Sequence, residues 1–159
     1  TIKVFSFNAE LARAAADLIS GLAAEAIMAR GRFSIALSGG STPQALFTLL
    51  AAPPYRSELP WREMYFFWGD ERLVPPDDPG SNYYHAARLL LDHVQVPAEN
   101  VYRVKGELPT KAAVLDYAAQ LQSFAAERRK WPRFDLVLLG MGSDGHTASL
   151  FPGSPSVSR

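Results

Sequence analysis

The chain contains no cysteine, which excludes disulfides, thiolate nucleophiles and cysteine-ligated zinc. No stretch reaches the roughly 20 consecutive apolar residues of a membrane-spanning helix. The opening Thr1-Ile-Lys-Val-Phe-Ser-Phe7 has neither the basic segment nor the long apolar core of a secretory signal. An excess of one charge is missing too. Sixteen basic residues offset 16 acidic ones, so no global field draws in nucleic acid or an anionic membrane. Any anion must be recognised locally. The expectation is a cytoplasmic protein with neither nucleic-acid nor membrane partners. Repeats, low-complexity tracts and linkers are also lacking, and 159 residues fit one domain, 1–159, with a hydrophobic core.

What is present is an alternation of short apolar runs with amphipathic stretches. Ile2–Phe7 alternates weakly and reads as a first strand. Asn8 is the N-cap of a helix whose Leu11, Ala15, Leu18, Leu22 and Ala26 recur at helical spacing, ending at Arg30-Gly31. Phe33–Leu37 reads as a strand, and Thr42-Pro43 as the cap and first position of a helix to about Leu50. Pro53, Pro54 and Pro60 mark a loop before the strand Met64–Trp68. After a proline-rich stretch, Ser81 caps a helix to about His93. Val101–Val104 reads as a strand and Thr110–Lys130 as a long helix, with Arg128-Arg129-Lys130 complementing its C-terminal dipole. The aliphatic run Phe134–Leu139 reads as a buried last strand. Strands separated by helices predict an α/β fold with an open, mostly parallel, doubly wound, Rossmann-like sheet.

Three of these strands end in polar, glycine-bearing loops. In a parallel sheet all carboxyl ends share one edge, so the loops are expected to converge. Ser38-Gly39-Gly40-Ser41-Thr42 precedes a helix, where a pliant backbone, hydroxyl donors and the helix dipole favour an anion such as phosphate. It lacks the spacing of a Walker loop, and the plainer alternative is a tight turn with an ordinary cap. In Gly69-Asp70-Glu71-Arg72, Arg72 is a planar donor for a phosphate or a developing oxyanion, and Asp70 and Glu71 orient it or bind sugar hydroxyls. The alternative there is a solvated turn with a local ion pair. Gly140-Met-Gly142-Ser-Asp144-Gly-His146 matches G-x-G-x-x-G formally. That dinucleotide fingerprint belongs to a first strand, whereas this match lies on a late one with Pro152 soon after. The better account is a loop that delivers Asp144 and His146, histidine being suited to proton transfer near neutral pH. His85 and His93 lack the i, i+4 ligand spacing, so no metal site is expected.

Taken together, Ser38-Gly-Gly-Ser-Thr-Pro43, Gly69-Asp-Glu-Arg72, Ser81-Asn82 and Gly140-Met-Gly-Ser-Asp-Gly-His146-Thr-Ala-Ser-Leu-Phe-Pro-Gly153, in this order along nearly the whole chain, resemble the 6-phosphogluconolactonase family. The first and last motifs are partly shared with glucosamine-6-phosphate deaminases. After the histidine those resemble Ile-Ala-Phe-Asn-Glu-Pro, whereas this chain reads Thr147-Ala-Ser-Leu-Phe-Pro152. The resemblance implies hydrolysis of 6-phospho-D-glucono-1,5-lactone to 6-phosphogluconate in the oxidative branch of the pentose phosphate pathway. It implies no metal or cofactor, and His146 as general base. Arg72 and Asp144 join His146 as catalytic candidates, and Ser38, Gly39, Gly40, Ser41, Thr42, Asp70, Glu71, Asn82 and Gly142 surround the substrate. The expected partner is a small sugar-phosphate lactone, and the expected state a monomer or weak homo-oligomer. The resemblance further implies a family domain that continues beyond this chain, with more sheet and helix and a basic segment near the site. The expectation is therefore an incomplete family domain. The rival readings are a deaminase-like isomerase acting on an amino-sugar phosphate, and a non-catalytic sugar-phosphate sensor.

Overall fold

The computed structural model describes residues 1–125, 130–155 and 157. Its organising element is the run Phe33-Ser-Ile-Ala-Leu37, here β1, in which all five residues are buried. Such a strand needs a hydrogen-bonding neighbour on each edge and a helical layer on each face. On one edge it pairs in parallel with β2 (Met64–Trp68), from Phe33 opposite Met64 to Leu37 opposite Trp68. On the other it pairs in parallel with β4 (Leu136–Val137), Ile35 lying opposite Leu136. The short β3 (Val101–Tyr102) pairs with the far side of β2, giving the order β3-β2-β1-β4.

Side-chain alternation then divides the core in two. Phe33, Ile35, Leu37, Met64, Phe66 and Trp68 share one cluster with residues of α1 (Asn8–Arg30), α2 (Ser41–Leu50) and α4 (Asn82–Leu89). The opposite alternation sends Ala36 and Phe67 to Phe124 of α5 (Thr110–Phe124). Phe67 lies 4.6 Å from Tyr102 and 4.8 Å from both Phe124 and Phe134, ring to ring. The change of face follows from the winding. The chain steps outward from β1 to β2 to β3, then returns across β1 to β4. Right-handed crossovers require the connecting helix to switch faces when that direction reverses. The short helix α3 (Tyr55–Glu58) sits between α2 and β2. No helix among the described residues is long and apolar enough to cross a membrane.

Several expectations need correction. Ile2–Phe7 forms no strand: it pairs with none of the four, and Ile2 and Val4 are 93% and 89% exposed. Alternation without a partner for the backbone does not make a strand. Asn8 is the first residue of α1, not its cap. α2 starts earlier than Thr42-Pro43 predicts, with Gly40 in the cap position and Pro43 within the first turn, where its missing N–H costs nothing. Tyr55–Glu58 is helical inside the expected loop, and the helix from Ser81 breaks after Leu89 into a separate turn at Leu91–His93. α5 ends at Phe124 with Ala125 extended; Arg128 and Arg129 lie outside the described residues. The last strand is not buried: Val137 and Leu139 are 45% and 65% exposed, while Leu136 and Leu138 pack on the core. Among the described residues β4 has a paired neighbour on one edge only, so these two side chains stay uncovered.

Two polar devices fix the sheet where it ends early. Asp135 accepts from the Ser34 amide and hydroxyl, both at 2.8 Å, and pairs with Arg30, anchoring the entry to β4. Beyond the end of β3, the Tyr117 hydroxyl takes the place of a strand: it accepts from Trp68 N at 3.0 Å and donates to Trp68 O at 2.9 Å. Burial pushes this phenol up to about 12, so it remains a neutral donor and acceptor at physiological pH. Tyr117→Phe leaves a buried amide and carbonyl of Trp68 unpaired. A loss of about 1–3 kcal/mol of stability is expected, measured by denaturant unfolding; a loss below about 0.5 kcal/mol would show that water replaces the hydroxyl.

Candidate active site

In an open α/β sheet the crevice lies outside the carboxyl ends of the strands where the winding reverses. Here that is the gap between β1 and β4. A cavity of about 240 Å³ opens there, lined by Ser38, Gly39, Gly40, Ser41, Thr42 and Pro43 after β1, by Asp70, Arg72 and Asn82 around β2 and α4, and by Gly140, Met141, Gly142, His146 and Ala148 after β4. The three loops do converge. A larger hollow, about 520 Å³, lies around Arg30, Arg32 and Arg133, and contains none of the predicted site residues.

The first wall is the glycine loop. Gly40 holds φ at 96°, a conformation only glycine adopts without strain. It turns the chain from β1 into α2, whose N-terminus has no side-chain cap. The leading amides of α2 and the positive end of its dipole are therefore available to an anion. Gly39 serves close approach: a methyl group there would lie 1.9 Å from Asn82 Oδ1.

The second wall is Gly69-Asp-Glu-Arg72. Arg72 forms no ion pair among the described residues, so its guanidinium is uncommitted. Asp70 is committed. Its Oδ2 accepts from Ser149 Oγ at 3.0 Å, and Asn82 Nδ2 reaches its carbonyl at 3.1 Å and its Oδ1 at 3.4 Å. One carboxylate thus joins the second loop to the third and to α4. Glu71 does not line the cavity; it faces the N-terminus of α4.

The third wall carries the acid–histidine pair. His146 Nδ1 lies 2.5 Å from Asp144 Oδ1, and the His146 amide donates to the same oxygen at 3.2 Å. The His146 ring holds the Asp144 carboxyl below the usual carboxylate range. Because a carboxylate only accepts, the proton of the neutral ring belongs on Nδ1, which leaves Nε2 with its lone pair. Phe151 stacks on the imidazole at 4.6 Å. Gly142 donates its amide to His146 O at 2.8 Å, and a methyl on it would fall 2.2 Å from His146 Cε1. The ring is held against bare backbone.

Of the predicted residues, Ser38, Gly39, Gly40, Ser41, Thr42, Asp70, Arg72, Asn82, Gly142 and His146 line one cavity, Asp144 supports His146 from behind, and Glu71 stands apart. Ser149 and Phe151 were missed as site residues, although they lie in the same motif. Their partners are distant in sequence or set by the turn in which Thr147 bridges Leu150 and Ala148 adopts φ 50°. No local pattern in the sequence signals these pairings.

Fold and site together define an α/β protein with an anion-ready glycine loop and an acid–histidine pair at the switch point of a parallel sheet. The chain belongs to the glucosamine-6-phosphate isomerase/6-phosphogluconolactonase family, whose model matches residues 6–159. It is 48% identical over 118 residues to a 6-phosphogluconolactonase of Aggregatibacter actinomycetemcomitans, covering 74% of this chain and 49% of that protein. Against the Nostoc enzyme of the same name it is 45% identical over 160 residues, covering 99% and 65%. The solved structure of 6-phosphogluconolactonase from Trypanosoma brucei matches with a TM-score of 0.82 at 35% identity, covering 98% of this chain and 65% of that one. The chain thus spans about half to two thirds of the length of these relatives.

The clash at Gly142 supplies a test. Gly142→Ala should push the imidazole off Asp144, since the backbone there is not in a glycine-only conformation. Nitrogen NMR of the ring should show the single Nδ1–H tautomer give way to a mixture. An unchanged tautomer would mean that the loop moves rather than the ring.

Proposed function

We propose that this chain carries the catalytic site of a 6-phosphogluconolactonase, hydrolysing 6-phospho-D-glucono-1,5-lactone to 6-phosphogluconate. The observation that carries the reading is His146: its Nδ1 is engaged by Asp144 and its ring lines a cavity shared with an uncapped helix N-terminus and an uncommitted arginine. A lactone is an activated ester, so a general base, positioning and charge stabilisation suffice. The 6-phosphate sits at Gly40–Thr42, with Arg72 supplying positive charge. His146 Nε2 takes a proton from water as its oxygen bonds to C1. The tetrahedral oxyanion then collapses, the bond from C1 to the ring oxygen breaks, and the imidazolium returns the proton to that oxygen. The Asp144 carboxylate stabilises the imidazolium between these steps. The Gly142 amide already donates to His146 O, so oxyanion stabilisation falls to other amides of the loops.

Positioned acid–base catalysis contributes typically about 10²–10⁴-fold. His146→Ala should lower the turnover rate by that order, corrected for spontaneous hydrolysis, while affinity for 6-phosphogluconate stays within a few-fold. Turnover equal to wild type would remove His146 from the mechanism. Arg72→Ala should weaken 6-phosphogluconate binding about tenfold or more, as loss of a charge-assisted contact does, and leave binding of unphosphorylated gluconate unchanged. Wild-type protein that binds both acids equally would defeat the phosphate seat. Both assays apply to this chain and to a form with the full length of its relatives.

A further inference from the structure

Glu71 stands between Asp70 and Arg72 in sequence yet does not line the cavity. Its carboxylate is saturated by four donors. Oε1 accepts from the Arg72 and Asn82 amides, each at 2.7 Å, and Oε2 from the Tyr83 amide at 2.8 Å and the Ser81 hydroxyl at 3.0 Å. An ionised carboxylate offers about four acceptor sites and no proton, so this set leaves nothing over for a ligand. Two of the donors are first-turn amides of α4, where the dipole favours negative charge. Ser81 in turn caps Tyr84 N at 3.1 Å.

These bonds reach two walls of the cavity at once. The main chain of Arg72 is held directly. Asn82, only 5% exposed, is held by its amide, and its side chain lies between Asp70 and the bare Cα of Gly39. We propose that Glu71 is a positioning residue: it sets the Arg72 backbone and the Asn82–Gly39 contact in register for a sugar phosphate, without touching the substrate. The ligand in this statement rests on the lactonase reading; the mechanical linkage from Glu71 to the glycine loop does not. A glutamine keeps one acceptor oxygen but turns an NH₂ toward groups that themselves donate, so at least one side of the set is lost.

Glu71→Gln tests both parts. Without ligand, amide hydrogen exchange should quicken about tenfold or more at Asn82 and Tyr83, and the amide NMR signals of Gly39 and Gly40 should shift. Faster exchange in α4 with the Gly39 and Gly40 signals unmoved, or no change at all, would overturn the linkage whatever the activity. With substrate, KM for the lactone should rise about tenfold while kcat stays within about threefold. Ile19→Val, a core change in α1, serves as the control for simple destabilisation and should move neither constant. A fall in kcat at constant KM would overturn the proposal, because that is what loss of folded protein produces. Should wild type prove inactive on the lactone, the activity reading fails, and titration with 6-phosphogluconate then decides for Glu71. Binding weakened about tenfold in the variant supports the positioning role. Equal binding by variant and wild type, or no binding by wild type, overturns that role, and the exchange rates and glycine signals alone then decide the linkage.

Discussion

The parallel pairing of Phe33–Leu37 with Met64–Trp68 on one side and Leu136–Val137 on the other decides where every functional group arrives. Parallel strands bring their carboxyl ends to one edge, and the return of the chain across β1 opens a crevice between its first and last strands. The glycine loop and the histidine loop are separated by about a hundred residues of sequence, yet they are neighbours because both leave adjacent strands. A register shift of one residue in β4 would exchange its core-facing and outward-facing side chains. The Asp135–Ser34 hydrogen bonds oppose such a shift at the strand's entry, where only two residues are in regular pairing. The site depends on that register, and the register depends on a polar anchor as much as on apolar packing.

Within the crevice, chemistry depends on which groups are already spoken for. Asp144 serves the imidazole and Asp70 ties loops together, while Glu71 holds a helix end. What remains uncommitted among the described residues is cationic or neutral: Arg72, the unbonded Nε2 of His146 and the leading amides of α2. That division explains how a region with three carboxylates can still suit an anionic guest. Each carboxylate already accepts hydrogen bonds from donors of the protein itself.

Much of this could be read from the residues alone. Two strands, Phe33–Leu37 and Met64–Trp68, fall where the apolar runs place them, because a strand buried in a parallel sheet is a continuous apolar run bounded by turn formers. Convergence of the three loops followed from topology without any geometry. Other features depended on partners that sequence does not display. Among the described residues, Ile2–Phe7 alternates like a strand but pairs with none, and Phe134–Leu139 is apolar like a central strand but is paired on one side only. At the site, residue types pointed to His146, Arg72 and the glycines. They could not separate the roles of Asp70, Glu71 and Asp144, since a carboxylate's role is set by whichever donors the fold brings to it.

The contrast between Asp70 and Glu71 shows how one short loop builds two structures. Successive residues leaving a strand point in opposite directions, so neighbours in sequence serve opposite sides of the turn. Asp70, with the shorter side chain, lines the cavity and accepts from Ser149 of the third loop. Glu71 turns away, its extra methylene carrying the carboxylate to the amides of α4. Arg72 then points back toward the cavity, with its amide fastened to Glu71. A long cationic side chain on a main chain pinned by an adjacent, fully bonded carboxylate would lose less conformational entropy on meeting an anion. The acid–acid–base order of the loop thus divides the contacts: Asp70 bonds Ser149 and Asn82, Glu71 bonds the start of α4, and Arg72 lines the cavity with no ion pair among the described residues.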